Sequence, residues 1–117
     1  MRIAIKRAYA PAEREDGYRV LVDRLWPRGV AKKDLPLDEW NKDVAPSPKL
    51  RRWFGHDPER WEEFRRRYLE ELKQGAGARE LLNSVPEARL TLVYAARDPE
   101  HNHALVLQEY LQRLVAE

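Results

Sequence analysis

The chain has 117 residues, contains no cysteine and carries 22 basic against 20 acidic side chains, a net charge of +2. This length fits a single domain over residues 1–117, and the missing cysteines exclude disulfides, thiolate catalysis and zinc–thiolate sites. No apolar run approaches the roughly 20 residues that span a bilayer, and the N-terminus lacks the apolar stretch of a signal peptide. We therefore expect a cytoplasmic protein with no membrane partner.

Three β-strands are predicted in the first 45 residues. Ile3 and Ile5 alternate with basic or small residues, which indicates a short, half-buried strand. Residues 18–26 contain a Val-Leu-Val run, which predicts a second strand that is buried on both faces and ended by Pro27. The alternation over residues 37–44 predicts a third strand.

Two helices are predicted where a capping residue is followed by proline. Ser47, followed by Pro48, opens a short helix that Gly55 ends. Asp57, also followed by proline, opens a longer helix. The longer helix carries an apolar stripe at steps of three and four residues, which we interpret as core: Trp61, Phe64, Tyr68 and Leu72.

The remainder of the chain predicts a short helix, a strand and a last helix. Residues 78–85 favour the short helix, and the apolar run of residues 90–95 is the clearest strand in the sequence. Asp98 precedes a proline and is predicted to cap the last helix. The apolar face of that helix consists of Ala104, Leu107, Leu111 and Leu114.

This order of elements predicts an α/β fold. A strand, a helical crossover and a further strand in one sheet imply a parallel pair. We expect a small, mainly parallel sheet of about four strands with helices packed against it. The pairing of the first two strands stays open, because their connection is long enough for either direction.

Polar side chains that suit anion binding follow the predicted strands. In open α/β sheets, ligands bind beyond the carboxyl ends of the strands. Guanidinium groups bind phosphate or carboxylate with paired hydrogen bonds, and a helix start such as the one at Ser47 favours an anion. The candidate ligand-binding residues are Arg24, Arg28, Lys42, Ser47, Arg51, Tyr94, Arg97 and Asn102.

These candidates also have structural interpretations. Ser47 is a good N-cap in its own right. Surface arginines commonly form ion pairs, for which Asp23 and Asp43 are the nearby carboxylates. Tyr94 can pack in the core instead of facing a ligand.

Two histidines and one carboxylate are candidates for proton transfer. His56 and His103 each lie beside an Asp-Pro helix start, and Asp23 follows the second strand. The structural alternative for both histidines is a helix-end ring hydrogen-bonded to the backbone. The run from His101 to His103 is a poor chelate, because alternate helical residues do not share a face. We therefore expect neither a metal site nor a cofactor.

Several long motifs make the family resemblance visible. The motifs are Arg24-Leu25-Trp26-Pro27-Arg28-Gly29, Trp40-Asn41-Lys42, Ala45-Pro46-Ser47, Leu50-Arg51, Trp53-Phe54-Gly55-His56-Asp57-Pro58, Tyr94-Ala95-Ala96 and Asn102-His103-Ala104. With these motifs the chain resembles the YeaO-like proteins of domain-of-unknown-function family 488 over nearly its whole length. The resemblance implies a compact α/β protein of the bacterial or archaeal cytosol. The family has no established activity, so the resemblance implies no catalytic roles. It does imply that the following residues belong to one pattern: Arg24, Arg28, Lys42, Ser47, Arg51, His56 and Asn102.

Two functional hypotheses follow from the residues. The first is a binding site, catalytic or not, for a small anionic or phosphorylated ligand at the carboxyl ends of the strands. The second is a nucleic-acid- or protein-binding module without enzymatic activity, favoured by two basic blocks at residues 1–33 and 49–68. The nearly neutral total charge counts against nucleic acid.

Overall fold

A four-stranded parallel sheet with the order β1-β4-β2-β3 forms the centre of the computed structural model, which describes residues 1–117. Strand β4 lies between β1 and β2, with Ile3 opposite Leu90 on one side and Val20 opposite Leu92 on the other. The strands are β1 (Arg2–Arg7), β2 (Tyr18–Leu21), β3 (Glu39–Trp40) and β4 (Arg89–Tyr94). All three pairings are parallel, which confirms the predicted α/β class.

Four α-helices connect or follow the strands. They are α1 (Pro48–Phe54), α2 (Trp61–Gln74), α3 (Gly77–Ser84) and α4 (His103–Ala116). Short 3-10 turns occupy Arg14–Asp16, Lys32–Asp34 and Pro58–Arg60. No helix is both long and apolar enough to cross a bilayer.

The alternation of side chains along β2 and β4 divides the core between the two faces of the sheet. Val20 and Leu92 belong to the larger cluster of 20 buried residues, which includes apolar positions from all four helices. Leu21 and Val93 belong to a cluster of four on the opposite face, which loop residues such as Leu35 cover. The helices therefore cover one face, and the loops after β1 and β2 cover the other.

The predicted cap of α1 is confirmed, and that of α4 is wrong. Ser47 Oγ accepts a hydrogen bond from the N–H of Leu50, and Pro48 begins α1. Helix α4 instead begins at His103 with Asn102 as its N-cap. Asp98 accepts hydrogen bonds from the N–H groups of the next turn and closes that turn, five residues before the helix starts.

Two predicted strands are shorter in the structure. The third strand was predicted over residues 37–44 but comprises only Glu39–Trp40, because Asn41 Oδ1 accepts from the N–H of Asp43 and turns the chain away. The second strand ends at Leu21 instead of reaching residue 26, and Asp23 Oδ2 in the following segment accepts from the N–H of Ala95 after β4. The open question about β1 and β2 is also settled, because both run parallel to β4 and neither pairs with the other.

A buried carboxylate joins the loop after β1 to the strands. Asp16 accepts from Lys6 Nζ at 2.8 Å and from Arg19 Nη1 at 2.5 Å, and its side chain is only 8% exposed. Burial alone raises the pKa of Asp16, but the hydrogen bonds from Lys6 and Arg19 outweigh it and lower the pKa below its ordinary value of 3.8. The backbone carbonyl of Asp16 accepts from Thr91 Oγ1 of β4 at 2.7 Å. Asp16 therefore fixes the loop against three strands, two through its carboxylate and one through its backbone carbonyl.

We predict that Asp16→Asn lowers the free energy of unfolding by about 3 kcal/mol, because it leaves the charge of Arg19 buried without its partner. Urea denaturation at pH 7 measures the change. Glu63→Gln is the control, since Glu63 also pairs with two arginines but lies on the surface of α2 with 38% of its side chain exposed. We expect a far smaller change from the control.

The pH dependence of the stability difference tests whether the ionised carboxylate of Asp16 is its cause. The stability that ionised Asp16 contributes is fully present above its unfolded pKa of about 3.8, and it is lost as the pH falls through the lower folded value. The difference between wild type and Asp16→Asn should therefore shrink below pH 4. A difference that stays constant down to pH 2, or an equally large effect of the control, would contradict this account.

Candidate functional site

A cavity of about 780 Å³ opens where the carboxyl ends of β2 and β4 meet α1 and α4. Its lining comes mainly from three segments: residues 23–28 after β2, residues 45–56 around α1, and residues 95–103 after β4. In a parallel sheet the carboxyl ends of the strands meet at one edge, so these distant segments lie side by side.

The cavity brings together eight of the eleven residues that the sequence proposed for a site. They are Asp23, Arg24, Arg28, Arg51, His56, Arg97, Asn102 and His103. The structure does not bring Lys42, Ser47 or Tyr94 into the lining. These eight residues therefore share one cavity.

The three residues outside the cavity have partners of their own. Lys42 Nζ lies 4.2 Å from the centre of the Trp40 ring at the edge of the sheet. Ser47 Oγ donates to Glu71 Oε2 at 2.6 Å, and its backbone N–H donates to the other oxygen of the same carboxylate. Tyr94 is buried in the main core, and this burial raises the pKa of its hydroxyl.

Sequence reasoning gave no site role to Arg52, Asp98 or His101, and it missed most of the apolar wall. Arg52 lines the cavity beside Arg51, and its position in the same short helix was a usable signal. His101 also lines the cavity, where Asp98 Oδ2 lies 2.8 Å from its Nδ1. The apolar wall includes aromatic rings that the sequence assigned to packing alone or left unassigned: Trp26, Phe54 and Phe64.

Five arginines line the cavity, and none of them lies within the 4.0 Å ion-pair distance of a carboxylate. They are Arg24, Arg28, Arg51, Arg52 and Arg97. Eight of the sixteen arginines of the chain do form ion pairs, all of them outside this cavity. The ion pairs with Asp23 or Asp43 that the sequence allowed for are not formed. The arginines of the cavity therefore form no ion pair with a carboxylate of the protein.

Arg24 is the half-buried member of this group and links two of the lining segments. Its Nε and Nη2 donate to the carbonyl oxygen of Pro46 at 3.4 and 3.3 Å. A carbonyl oxygen holds the guanidinium in place without cancelling its charge. The other four arginines are exposed, so their side chains are free to contact a ligand.

Asp23 holds the ends of the two central strands together. Its Oδ2 accepts from the N–H of Ala95 at 2.9 Å, which links the segment after β2 to the segment after β4. Its Oδ1 is buried and lies 3.1 Å from His103 Nε2, which is hydrogen-bonded to the carbonyl oxygen of Val22 at 3.1 Å. Both neighbours of Nε2 are acceptors, so this nitrogen carries the proton. The His103 ring thereby helps to fix the segment after β2 that lines the cavity.

Asp98, the second carboxylate of the lining, also forms hydrogen bonds with residues close to it in the chain. Asp98 accepts from the N–H of Glu100 and from His101, and these bonds lower the pKa of its carboxyl. The ring of His101 stands edge-on to Trp61 at 5.4 Å. No group of three or more His, Cys, Asp or Glu side chains is placed to hold a metal ion.

His56 has an unfavourable backbone conformation at the cavity. Its φ is +57°, directly after Gly55 at +54°, so two successive residues are left-handed. A left-handed conformation costs a residue with a Cβ about 1–2 kcal/mol. Such strain concentrates at functional sites.

We predict that His56→Gly raises the free energy of unfolding by about 0.5–1 kcal/mol, because relief of the left-handed strain exceeds the extra chain entropy of glycine. Urea denaturation measures it. His56→Ala is the matched control: it removes the ring but keeps the Cβ, so it should give no such gain. Equal effects of both substitutions would show that the ring, and not the backbone, determines stability at this position.

Comparisons with known proteins place the chain among uncharacterised relatives. A family model described as "Inactive DUF488-N3 subclade" matches residues 2–117. The chain is 48% identical over 115 residues to Uncharacterized protein YeaO of Escherichia coli strain K12, covering 97% of this chain and 100% of that protein. It is 44% identical over 110 residues to Uncharacterized protein Rv3073c of Mycobacterium tuberculosis strain H37Rv, covering 94% and 93%. A protein of Mycobacterium bovis, Uncharacterized protein Mb3100c, matches with the same identity and coverage.

These matches confirm the resemblance that the sequence motifs indicated. No solved structure matches the chain. The names of these relatives state no activity, ligand or partner.

Proposed function

The chain belongs to the YeaO-like DUF488 family, and we propose that it binds a small phosphorylated ligand in the arginine-lined cavity without transforming it. The observation that carries this proposal is the group of five arginines with no carboxylate partner, gathered from three separate segments. Arginine binds phosphate through paired, charge-assisted hydrogen bonds.

The shape of the cavity favours a small molecule. Sites for small ligands usually occupy about 300–1,000 Å³ and combine apolar walls with a few polar groups. The volume of about 780 Å³ and the mixture of arginines with Trp26, Phe54 and Phe64 fit that description. The cavity also lies beyond the carboxyl ends of parallel strands, where α/β folds commonly bind ligands.

Two observations support binding without catalysis. The matching subclade is described as inactive. Of the proposed proton-transfer groups, His103 is hydrogen-bonded through Nε2 to Val22, and Asp23 holds Ala95. Both groups serve to fix strand ends. We also propose that the protein acts in the cytoplasm of a prokaryote, since these relatives come from bacteria.

We predict that Arg51→Gln weakens phosphate-ester binding at least tenfold, because a charge-assisted hydrogen bond contributes about 1.5–3 kcal/mol and each 1.4 kcal/mol is a factor of ten. Calorimetric titration with a panel of nucleoside monophosphates and sugar monophosphates measures the effect. Arg14→Gln is the matched control, since Arg14 is an exposed arginine without an ion pair that lies outside the cavity. The control should bind like wild type.

Two outcomes would overturn the proposal. One is that no member of the panel, and no inorganic phosphate, binds the wild-type protein. The other is that Arg14→Gln weakens binding as much as Arg51→Gln, which would indicate attraction by overall charge. Binding of long DNA or RNA in preference to every small ligand, with a steep loss of affinity on addition of salt, would favour a nucleic-acid-binding module instead.

A further inference from the structure

We infer that the ligand carries two phosphate groups on one organic body, as a nucleoside diphosphate or a sugar bisphosphate does. This inference rests on the proposed function and specifies the ligand of the same cavity. It follows from the amount of uncompensated charge, from the separate origins of the arginines and from the apolar part of the lining.

The charge of the lining exceeds what one phosphate neutralises. Five arginines contribute +5 and the carboxylates of Asp23 and Asp98 contribute −2, a net +3 when the histidines are neutral. A phosphate monoester carries about −1.5 to −2 at pH 7. A single such group therefore leaves positive charge in the cavity, whereas two phosphate groups supply the remaining negative charge.

The two carboxylates of the lining already accept hydrogen bonds from groups other than the arginines. Asp23 accepts from the N–H of Ala95, and Asp98 accepts from His101 and from the N–H groups of its own turn. Neither lies within ion-pair distance of an arginine of the cavity. The arginines are consequently left to an external anion.

The arginines are distributed over different segments. Arg28 follows β2, Arg51 and Arg52 lie on α1, and Arg97 follows β4. Adjacent residues on a helix point about 100° apart, so Arg51 and Arg52 do not both face a single small anion. A cationic lining from three directions suits two anionic groups separated in space better than one.

The apolar wall indicates an organic body between or beside the phosphates. Leu25, Trp26 and Pro48 present accessible apolar surface in the lining, whereas Phe54 and Phe64 are buried and stack with ring centres 4.2 Å apart. Inorganic pyrophosphate alone leaves this accessible apolar surface and most of the 780 Å³ without contact. The structure thus favours a diphosphorylated organic molecule.

The test compares ligands that differ by one phosphate group, using the wild-type protein in calorimetric titrations at fixed pH and salt. One series is adenosine, its monophosphate and its diphosphate. The second series is fructose 1-phosphate and fructose 1,6-bisphosphate, and pyrophosphate is tested alone. We expect the second phosphate to tighten binding at least tenfold in one series, and pyrophosphate to bind more weakly than the best organic ligand. The series that shows the gain distinguishes a nucleotide from a sugar source.

Variants test whether different segments hold the two groups. Arg28 and Arg97 lie on different segments of the lining and both side chains are exposed, so the fold is expected to persist in Arg28→Gln and Arg97→Gln. Each should weaken the diphosphorylated ligand at least fivefold, and at least one of them should weaken the monophosphorylated ligand less, because a single phosphate does not need both segments. Arg14→Gln should change neither, and thermal melting confirms that every variant is folded.

The failure of this inference differs from failure of the proposed function. Monophosphates that bind as tightly as diphosphates, within a factor of two, would overturn the inference while leaving phosphate binding intact. Pyrophosphate binding that equals or exceeds every organic ligand would overturn the requirement for an organic body. Absence of binding by all phosphate compounds would overturn the proposed function itself.

Discussion

Strand β4 forms hydrogen bonds with β1 on one side and with β2 on the other, and this parallel pairing determines where every other segment lies. The register aligns Arg7 with Tyr94 and Leu21 with Val93, so the strands end at similar levels. The segments that leave these ends therefore emerge side by side. The cavity exists because their loops must turn at one edge of the sheet, while α1 and α4 pack beside them.

The strand ends are fixed mainly by contacts to the backbone, which leaves the charges around them available. Arg7 donates to the carbonyl oxygens of Ala95 and Ala96, and Arg24 donates to that of Pro46. The carboxylate of Asp23 accepts from the N–H of Ala95 in place of an arginine. Arginines on the surface of α2, such as Arg66, pair with neighbouring glutamates instead. The arginines on the surface of α2 pair with carboxylates, whereas those of the cavity do not. Unpaired positive charge is therefore concentrated at the cavity.

The parallel sheet and the edge that carries the cavity could be predicted from sequence, because both follow from local patterns and the order of elements. The residues that were misplaced depend on long-range contacts. Ser47 is a correct N-cap, but its hydroxyl hydrogen is directed to Glu71, which lies 24 residues further along the chain. Lys42 lies outside the cavity because β3 ends after two residues, and no periodic pattern reveals that early turn. Tyr94 ends β4 on the face that packs against the helices, so its ring enters the core.

Two features of the cavity lower the stability of the free protein, and their coincidence favours a binding role. Five arginines without carboxylate partners repel one another, and clustered like charge destabilises a compact state. His56 adds left-handed strain at the same place. Elsewhere, eight arginines pair with carboxylates, and His56 is the one non-glycine residue with positive φ. A polyanion that binds the folded state would relieve the repulsion and stabilise the fold in proportion to its concentration relative to its Kd. The proposed binding of a phosphorylated ligand would account for both costs.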